Sequence, residues 1–183
     1  MFDLNHTKAR MLQEINASEE AFANRVSDPA DVAFASADEA CLILRAKRPD
    51  ELLPSLRTAL CKRFALLAPE QLHGDLIYLL KKGVGNAYKW GNRKDPAKGI
   101  SVEAVVTEGG AVVAISDDGE GFDVEGVVVK FRAGERFFTH GGSGFRHFEK
   151  ARSLISYADG GRTLLIRFLC ASKPGPDLPT ADG

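Results

Sequence analysis

An aspartate and two glycines follow an apolar run in the middle of the chain. Asp117, Gly119 and Gly121 come directly after Ala111-Val112-Val113-Ala114-Ile115, which is typical of a buried strand. A carboxylate at such a strand end can accept a hydrogen bond from an exocyclic amine, as on adenine. Glycines at alternate positions allow positive φ and close approach of a flat ring. A tight Asp-Gly hairpin turn explains the same residues equally well.

A second glycine-rich segment, His140 to Arg146, contains Gly142 and Gly144. Apolar residues then recur at steps of three and four, which predicts a helix from Gly144 to Tyr157. Glycines at a helix start offer free N–H donors and the positive end of the helix dipole, which suit a phosphate group. An ordinary loop before a core-facing helix is the alternative.

A third segment lies upstream, where a helix predicted from residue 70 presents Asn86 and Lys89 near its C-terminal end. A magnesium-nucleotide site needs oxygen ligands, and the Asn86 side chain can supply a carbonyl. Lys89 can reach a phosphate as a point charge. A solvated lysine stabilised by the end of the helix dipole is the competing interpretation.

In this order, the three segments resemble the N, G1 and G2 boxes of the GHKL ATPase superfamily, the histidine-kinase-like ATP-binding proteins. The resemblance covers about residues 40–170 and is greatest to the anti-sigma-factor serine/threonine kinases. The matching residues are Asn86 for the N box, Asp117-x-Gly119-x-Gly121-Phe122 for G1, Gly142-x-Gly144-Phe145 for G2, and Gly160-Gly161-Arg162-Thr163 for the closing turn.

The resemblance implies ATP or ADP as ligand and Mg²⁺ held by Asn86 as cofactor. It also implies that Thr163 bonds adenine or orients Asp117, and that the stretch between Phe122 and His140 is a lid over the phosphates. A solvated loop with a short Val127-Val128-Val129 strand is the alternative for that stretch. Its implied fold is α+β: a two-layer sandwich with a mixed sheet covered on one face by helices.

The chain departs from the family at Lys82, where the kinases and ATPases usually place a glutamate as general base. A charged ammonium cannot take up a proton, so no catalytic residue is assigned. Two functions stay open. One is a kinase that phosphorylates a serine on a sigma-factor-like or antagonist protein by partner switching. The other is a non-catalytic, nucleotide-gated binding module; a scaffold that has lost nucleotide binding is a third, weaker possibility.

Composition limits the remaining options. A formal charge of −1 argues against a protein that coats nucleic acid, and three scattered cysteines form neither a disulfide framework nor a zinc motif. The polar start and the lack of a long apolar run favour a cytoplasmic protein without a membrane segment, and a homodimer is compatible with the family. Residues 1–37 are expected to be an N-terminal extension, 38–170 the ATP-binding domain, and 171–183 a disordered tail.

Strands and helices are predicted around these segments. Strands are expected at 40–46, 100–106 and 163–169, besides the one that ends at Asp117. Helices are expected from residue 49 to 66 and from residue 70 towards Asn86, and Ser18 is a candidate N-cap for a helix in the extension. A hairpin is predicted at 107–110, leading into the strand that ends at Asp117, so that these strands pair in sequence order.

Overall fold

The protein folds around one antiparallel sheet, in a computed structural model that describes residues 3–18, 33–36, 39–63, 70–135 and 153–170. The sheet has the strand order β1-β2-β3-β4-β6-β5. Its strands are β1 (Ala33–Ser36), β2 (Glu39–Ala46), β3 (Ile100–Thr107), β4 (Gly110–Asp117), β5 (Ser153–Ala158) and β6 (Thr163–Leu169). The helices are α1 (Lys8–Glu14), α2 (Pro49–Arg63), α3 (Glu70–Asn86) and α4 (Val124–Arg132).

The predicted α+β class is confirmed, but the expectation of a mixed sheet is wrong for the described strands. All five strand pairings are antiparallel. The link from β2 to β3 explains why. Helices α2 and α3 pack against each other and return the chain to the end where β2 finished, so that Ala46 pairs with Ile100. A parallel neighbour would have needed a crossover to the opposite end of the sheet.

Most of the core lies between the sheet and helices α2 and α3. Leu52 and Leu56 of α2 and Leu76, Leu79 and Leu80 of α3 are almost completely buried against one face of the sheet. The helix face that carries them repeats at three- and four-residue steps, as the sequence predicts. Gly83 lets α3 approach β4 closely: a Cβ at that position would lie 3.0 Å from the Leu164 methyl Cδ2 and closer still to Ile115 Cδ1.

The opposite face of the sheet is covered by α1, which the sequence-based prediction did not anticipate. Thr7 caps this helix by accepting a hydrogen bond from the Arg10 N–H, and Met11, Leu12 and Ile15 are buried against the sheet. These side chains contact a second apolar cluster formed by Cys41, Val105, Val112, Ala114, Leu154 and Leu165. Residues 3–18 therefore belong to the packed structure, although they fall within the predicted extension.

A polar cluster ties α1 to strand β6. The Arg167 guanidinium donates to Glu14, and the two ring nitrogens of His6 lie 2.8 Å from Asp3 Oδ2 and 3.1 Å from Glu14 Oε1. The Thr107 hydroxyl also donates to the Ile15 carbonyl at 2.5 Å. Because these groups are partly or fully buried, breaking one side of the network leaves a poorly solvated polar group behind.

Two predicted elements are corrected. Residues 153–158 form strand β5, not the end of a helix, since this segment pairs along its whole length with β6. Residues 144–152 of that predicted helix lie outside the described residues. The Val127-Val128-Val129 segment is helical within α4, not a strand, because the Asp123 carboxylate caps the helix by accepting from the Gly126 N–H at 3.0 Å.

The other predicted elements agree with the described ranges to within a few residues: β2, α2, α3, β3, β4 and β6. The helix with Ser18 as its N-cap would occupy residues that the structure does not describe, and so would the tail at 171–183. Within the described part of the chain, no helix is long and apolar enough to cross a membrane.

Candidate functional site

The carboxyl end of β4 carries the acidic residue singled out by the sequence. Asp117 closes the strand, where its backbone N–H donates to the Arg162 carbonyl at 3.1 Å. Its carboxylate Oδ1 accepts a hydrogen bond of 2.9 Å from the Gly119 N–H. Among the described residues, no hydrogen bond reaches the second oxygen, Oδ2. One acceptor of this partly buried carboxylate therefore has no hydrogen-bond partner among the described residues.

The surroundings of Asp117 disfavour its charge. Burial raises the pKa of the carboxyl above its ordinary value, and the neighbouring Asp118 adds to the rise, while the Gly119 hydrogen bond, Arg162 and Lys98 oppose it. A carboxylate held in such a position gains when a hydrogen-bond donor arrives, because the donor replaces lost hydration. The site therefore favours a neutral or cationic donor group, such as an amine.

A π-helical turn brings the end of α3 to this carboxylate. The turn, Ala87–Gly91, continues directly from Asn86, and Asn92 ends it by donating its N–H to the Ala87 carbonyl at 2.7 Å. A Cβ on Gly91 would lie 2.5 Å from Asp117 Oδ1. The Asp117 side chain therefore occupies the space that any other residue at position 91 would need.

Asn86 lies five residues before Gly91 on the same continuous helical segment. Its side chain is partly exposed and makes no capping hydrogen bond, and Lys89 is exposed. The π-turn thus connects the predicted magnesium ligand to the predicted amine acceptor through a short, regular piece of backbone. π-Turns of this kind are frequent at functional sites.

Gly119 and Gly121 form the turn after β4, and both have a steric reason to be glycine. A Cβ on Gly119 would lie 2.6 Å from Asp117 Oδ1 and 2.7 Å from the Gly91 carbonyl carbon. Gly121 has φ of +76°, a conformation that L-residues rarely adopt. The turn is fastened to the β5–β6 connection, because the Phe122 N–H donates to the Gly160 carbonyl at 3.0 Å.

Thr163 is placed differently from the prediction. Its hydroxyl donates to Asp159 Oδ2 at 2.6 Å and lies 2.9 Å from the Ser116 hydroxyl. Because the Asp159 carboxylate can only accept, the Thr163 hydroxyl donates to it, and the Ser116 hydroxyl must therefore donate to Thr163. The structure thus joins Thr163 to Ser116 and Asp159.

Strand alternation sets Thr163 apart from the Asp117 carboxylate. Ser116 and Thr163 are directly opposed in the β4–β6 ladder, so their side chains share one face of the sheet. Next to them, Ala114 and Leu165 belong to the α1 side, whereas Ile115 and Leu164 belong to the side of α2 and α3. By this alternation Ser116 and Thr163 lie on the α1 side, and the Asp117 carboxylate lies on the opposite side against Gly91.

The other acidic residues near Asp117 have cationic partners. Asp118 Oδ2 accepts from Arg45 Nη2 and from the Gly99 N–H, both at 2.8 Å. Glu120 is paired with Arg93 at 3.0 Å. Asp117 is therefore the carboxylate of this turn that remains without a charged hydrogen-bond partner in the described residues.

Position 82, where the resemblance noted in the sequence would imply a general base, carries a lysine. Lys82, one turn before Asn86, lies with its ammonium 5.5 Å from the centre of the Tyr78 ring. The helical segment from residue 76 to 91 contains no aspartate or glutamate. Within the described residues there is also no cluster of three or more His, Cys, Asp or Glu side chains that could hold a metal.

Gly142 and Gly144, the predicted phosphate-binding glycines, lie outside the described residues. The structure thus brings together Asp117, Gly119 and the turn that follows Asn86, and it fastens Gly121 to the β5–β6 connection. Gly91, Asn92 and Arg162 were not predicted as site residues. For Gly91, the sequence offers one indication, which is a glycine at the end of the helical segment that carries Asn86.

Asn92 fixes the loop beyond the π-turn. The residue is fully buried, and its Nδ2 donates to the Gly99 carbonyl at 2.9 Å. The Gly99 N–H in turn donates to Asp118 Oδ2.

Comparison with known proteins does not identify the chain: no family model and no curated protein matches it.

Proposed function

We propose that the chain is an adenine-nucleotide-binding regulatory module of the GHKL type, with Asp117 as the residue that recognises the base. One observation carries the proposal: a partly buried carboxylate at a strand end has one oxygen fixed by Gly119 and the other without a described partner. The exocyclic amine of adenine is a neutral donor of the kind that this oxygen accepts. Gly119 and Gly121 provide the bare backbone beside it.

Asn86 and Lys89 take the phosphate side of the proposed site. The Asn86 carboxamide has no capping hydrogen bond to give up, and its oxygen suits Mg²⁺ bound together with ATP. Lys89 is exposed next to it and can approach a phosphate oxygen. By resemblance to the family, Gly142 and Gly144 would bind the phosphates through their N–H groups. Thr163 is given no contact with the base, because its hydroxyl donates to Asp159 and accepts from Ser116 on the α1 side of the sheet.

The non-catalytic form of this function is favoured over the kinase. Lys82 stands where a base is needed, and the acids nearest to Asp117 are engaged with Arg45 and Arg93. Nucleotide binding would then act by stabilising one conformation over another, which changes affinity for a protein partner. We place this switch in the cytoplasm, with a sigma-factor-like or antagonist protein as its partner.

Titration with a fluorescent ATP analogue, with and without Mg²⁺, tests the proposal. Asp117→Asn should weaken binding at least tenfold, because the Asn amide group presents a donor where the amine needs an acceptor. Asp118→Asn is the matched control, because the Asp118 carboxylate is next to Asp117 in the chain but is bonded to Arg45. Absence of binding by the unmodified chain would refute the function, and equal affinities would remove Asp117 from the site.

Radiolabelled ATP separates switch from kinase. The switch predicts that a protein partner is retained differently with ATP than with ADP, and that no label reaches it. Transfer of the γ-phosphoryl group to a serine of the partner would instead establish the kinase, with the proton accepted by a group outside the 76–91 helical segment.

A further inference from the structure

A strongly basic stretch follows the middle of α3. Residues 76–98 contain six lysines and arginines and one aspartate, whereas the whole chain carries a formal charge of −1. The remainder of the chain therefore has a net negative charge, whereas this stretch of helix and the loop after it has a net positive charge. A local field of this kind selects an oppositely charged partner.

Large aromatic side chains stand among these cations on the solvent side of the helix. Tyr78 is 42% exposed and Trp90 is 58% exposed, and Lys81 and Lys89 are also exposed. The Lys82 ammonium rests 5.5 Å from the centre of the Tyr78 ring. Exposed tyrosine and tryptophan are typical of binding surfaces, where they supply most of the contact energy.

The π-turn aligns these residues. In a regular α-helix, Trp90 would be rotated towards the side on which Leu79 and Gly83 are buried. The wider π-turn uses more residues per turn, and so it turns Trp90 back to the side of Tyr78 and Lys82. The basic face, defined as Tyr78, Lys81, Lys82 and Trp90, then runs about 18 Å along the segment.

We propose that the basic face binds an acidic peptide segment of a protein partner, with its carboxylates on the lysines and an apolar residue against the aromatic rings. The inference does not require nucleotide. The pairing of Lys82 with Tyr78 orients the ammonium beside an apolar surface, which suits a carboxylate next to an apolar side chain. Each exposed ion pair contributes little alone, so the affinity requires several carboxylates bound together, in addition to the contacts with the two aromatic residues.

Other anionic partners fit less well. A lipid surface would require an apolar helix face to insert, and the apolar face of α3 is buried in the core by Leu76, Leu79, Leu80 and Val84. A nucleic acid carries continuous charge, and beside Gly91 it would meet the turn with the Asp117 carboxylate, which has no charged hydrogen-bond partner among the described residues. A peptide with discrete carboxylates can avoid that turn.

The chain has a built-in probe, because Trp90 is its single tryptophan. Its fluorescence can be titrated with a short peptide that alternates glutamate with leucine, and with the same peptide carrying glutamine. We expect saturable binding of the glutamate peptide, at least tenfold weaker binding of the glutamine peptide, and weakening by added salt.

The double variant Lys81→Glu/Lys82→Glu should lose at least tenfold in affinity. The control Lys47→Glu/Lys130→Glu makes the same charge change away from the basic face and should retain binding within about twofold. Equal loss in both variants would show a general charge effect and overturn the proposal. So would a glutamine peptide that binds equally well, or an oligonucleotide or phosphatidylserine vesicle that binds more tightly. These titrations contain no nucleotide, so their failure would leave the ATP site unaffected.

Discussion

The Asp117 carboxylate lies against Gly91, so closely that a Cβ at position 91 would come within 2.5 Å of Asp117 Oδ1. This relationship joins the end of strand β4 to the end of the helical segment that carries Asn86. The same oxygen is held by the Gly119 N–H at 2.9 Å. Three parts of the chain thus meet at one side chain, and the position of that side chain depends on a missing Cβ.

Gly91→Ala should therefore displace the Asp117 carboxylate. The new methyl group cannot share the space, so the hydrogen bond from Gly119 is broken and about 1 kcal/mol of folding free energy is lost. Affinity for an adenine nucleotide should fall at least tenfold. Urea denaturation and titration with a fluorescent ATP analogue measure the two effects.

Gly85→Ala provides the control on the same helical segment. Nothing lies within 4 Å of a Cβ at position 85, and alanine is the better helix former. This variant should be more stable by roughly 0.5–1 kcal/mol and bind nucleotide unchanged. If Gly91→Ala behaved like Gly85→Ala in both measurements, the contact between Gly91 and Asp117 would have no functional weight.

Gly83→Ala should have the opposite effect on stability from Gly85→Ala, although the two positions are neighbours on α3. A methyl group at position 83 would overlap the buried Ile115 side chain and press on Leu164. Overpacking of this kind costs about 1–3 kcal/mol. Ile115→Val combined with Gly83→Ala should recover part of the loss, because it removes the overlapping methyl. Failure of this rescue would place the strain elsewhere.

The sequence predicted the elements that have a clear period or a clear end. The helix of α3 and the strands on either side of the 107–110 hairpin show regular apolar spacing, and they form as expected. Sequence-based prediction failed where contacts with other parts of the chain determine the local structure. Leu154 and Ile155 fit a helical repeat, yet pairing with β6 makes them a strand. In the same way, the cap from Asp123 made a helix of a valine-rich run whose composition is typical of a strand.

The resemblance to the GHKL family predicted that Asn86, Asp117 and Gly119 belong to one site. The structure places Asp117 and Gly119 against the turn that follows Asn86, and the chemistry of the site stays a prediction. No repeat of apolar residues in the sequence predicts the π-turn, which determines the position of Gly91 and the direction of the Trp90 side chain. The face on which Thr163 lies depends on the register of β6 against β4, and register is set by pairing in three dimensions.

Glu14→Gln should weaken the attachment of α1 to the sheet. Burial alone raises the pKa of the Glu14 carboxyl, but the hydrogen bonds and charges of Arg167 and His6 outweigh it, and the pKa lies below its ordinary value. A lowered pKa means that the carboxylate stabilises the fold above pH 4.5, its ordinary value, and that this stability is lost as the pH falls through the folded pKa. The variant should lose about 1–3 kcal/mol at pH 7, and less in acid.

Glu108→Gln is the control for that measurement, since Glu108 is exposed at the β3–β4 turn. It should change the free energy of unfolding by no more than about 0.5 kcal/mol at any pH. Urea denaturation between pH 3 and pH 8 gives both curves. An unchanged stability of Glu14→Gln across this range would show that α1 is held by its apolar contacts alone.

Asp117→Asn should separate stability from binding. Burial, with Asp118, raises the pKa of this carboxyl, so the folded state binds its proton more tightly than the unfolded chain does. The resulting stability is fully present below pH 3.8, the ordinary value, and is lost as the pH rises through the folded pKa. At pH 7 the charged Asp117 therefore lowers stability. The neutral asparagine side chain removes that charge and can keep the hydrogen bond from Gly119.

We accordingly expect Asp117→Asn to unfold at a higher temperature than the unmodified chain at pH 7, with the difference shrinking towards pH 4, while nucleotide affinity falls. A residue that lowers stability but is required for binding has a functional role, because a purely structural residue would stabilise the fold. Thermal unfolding across this pH range, paired with nucleotide titration, measures both. A variant that is less stable at every pH would mean that the Asp117 carboxylate stabilises the turn and has a structural role rather than a ligand-binding one.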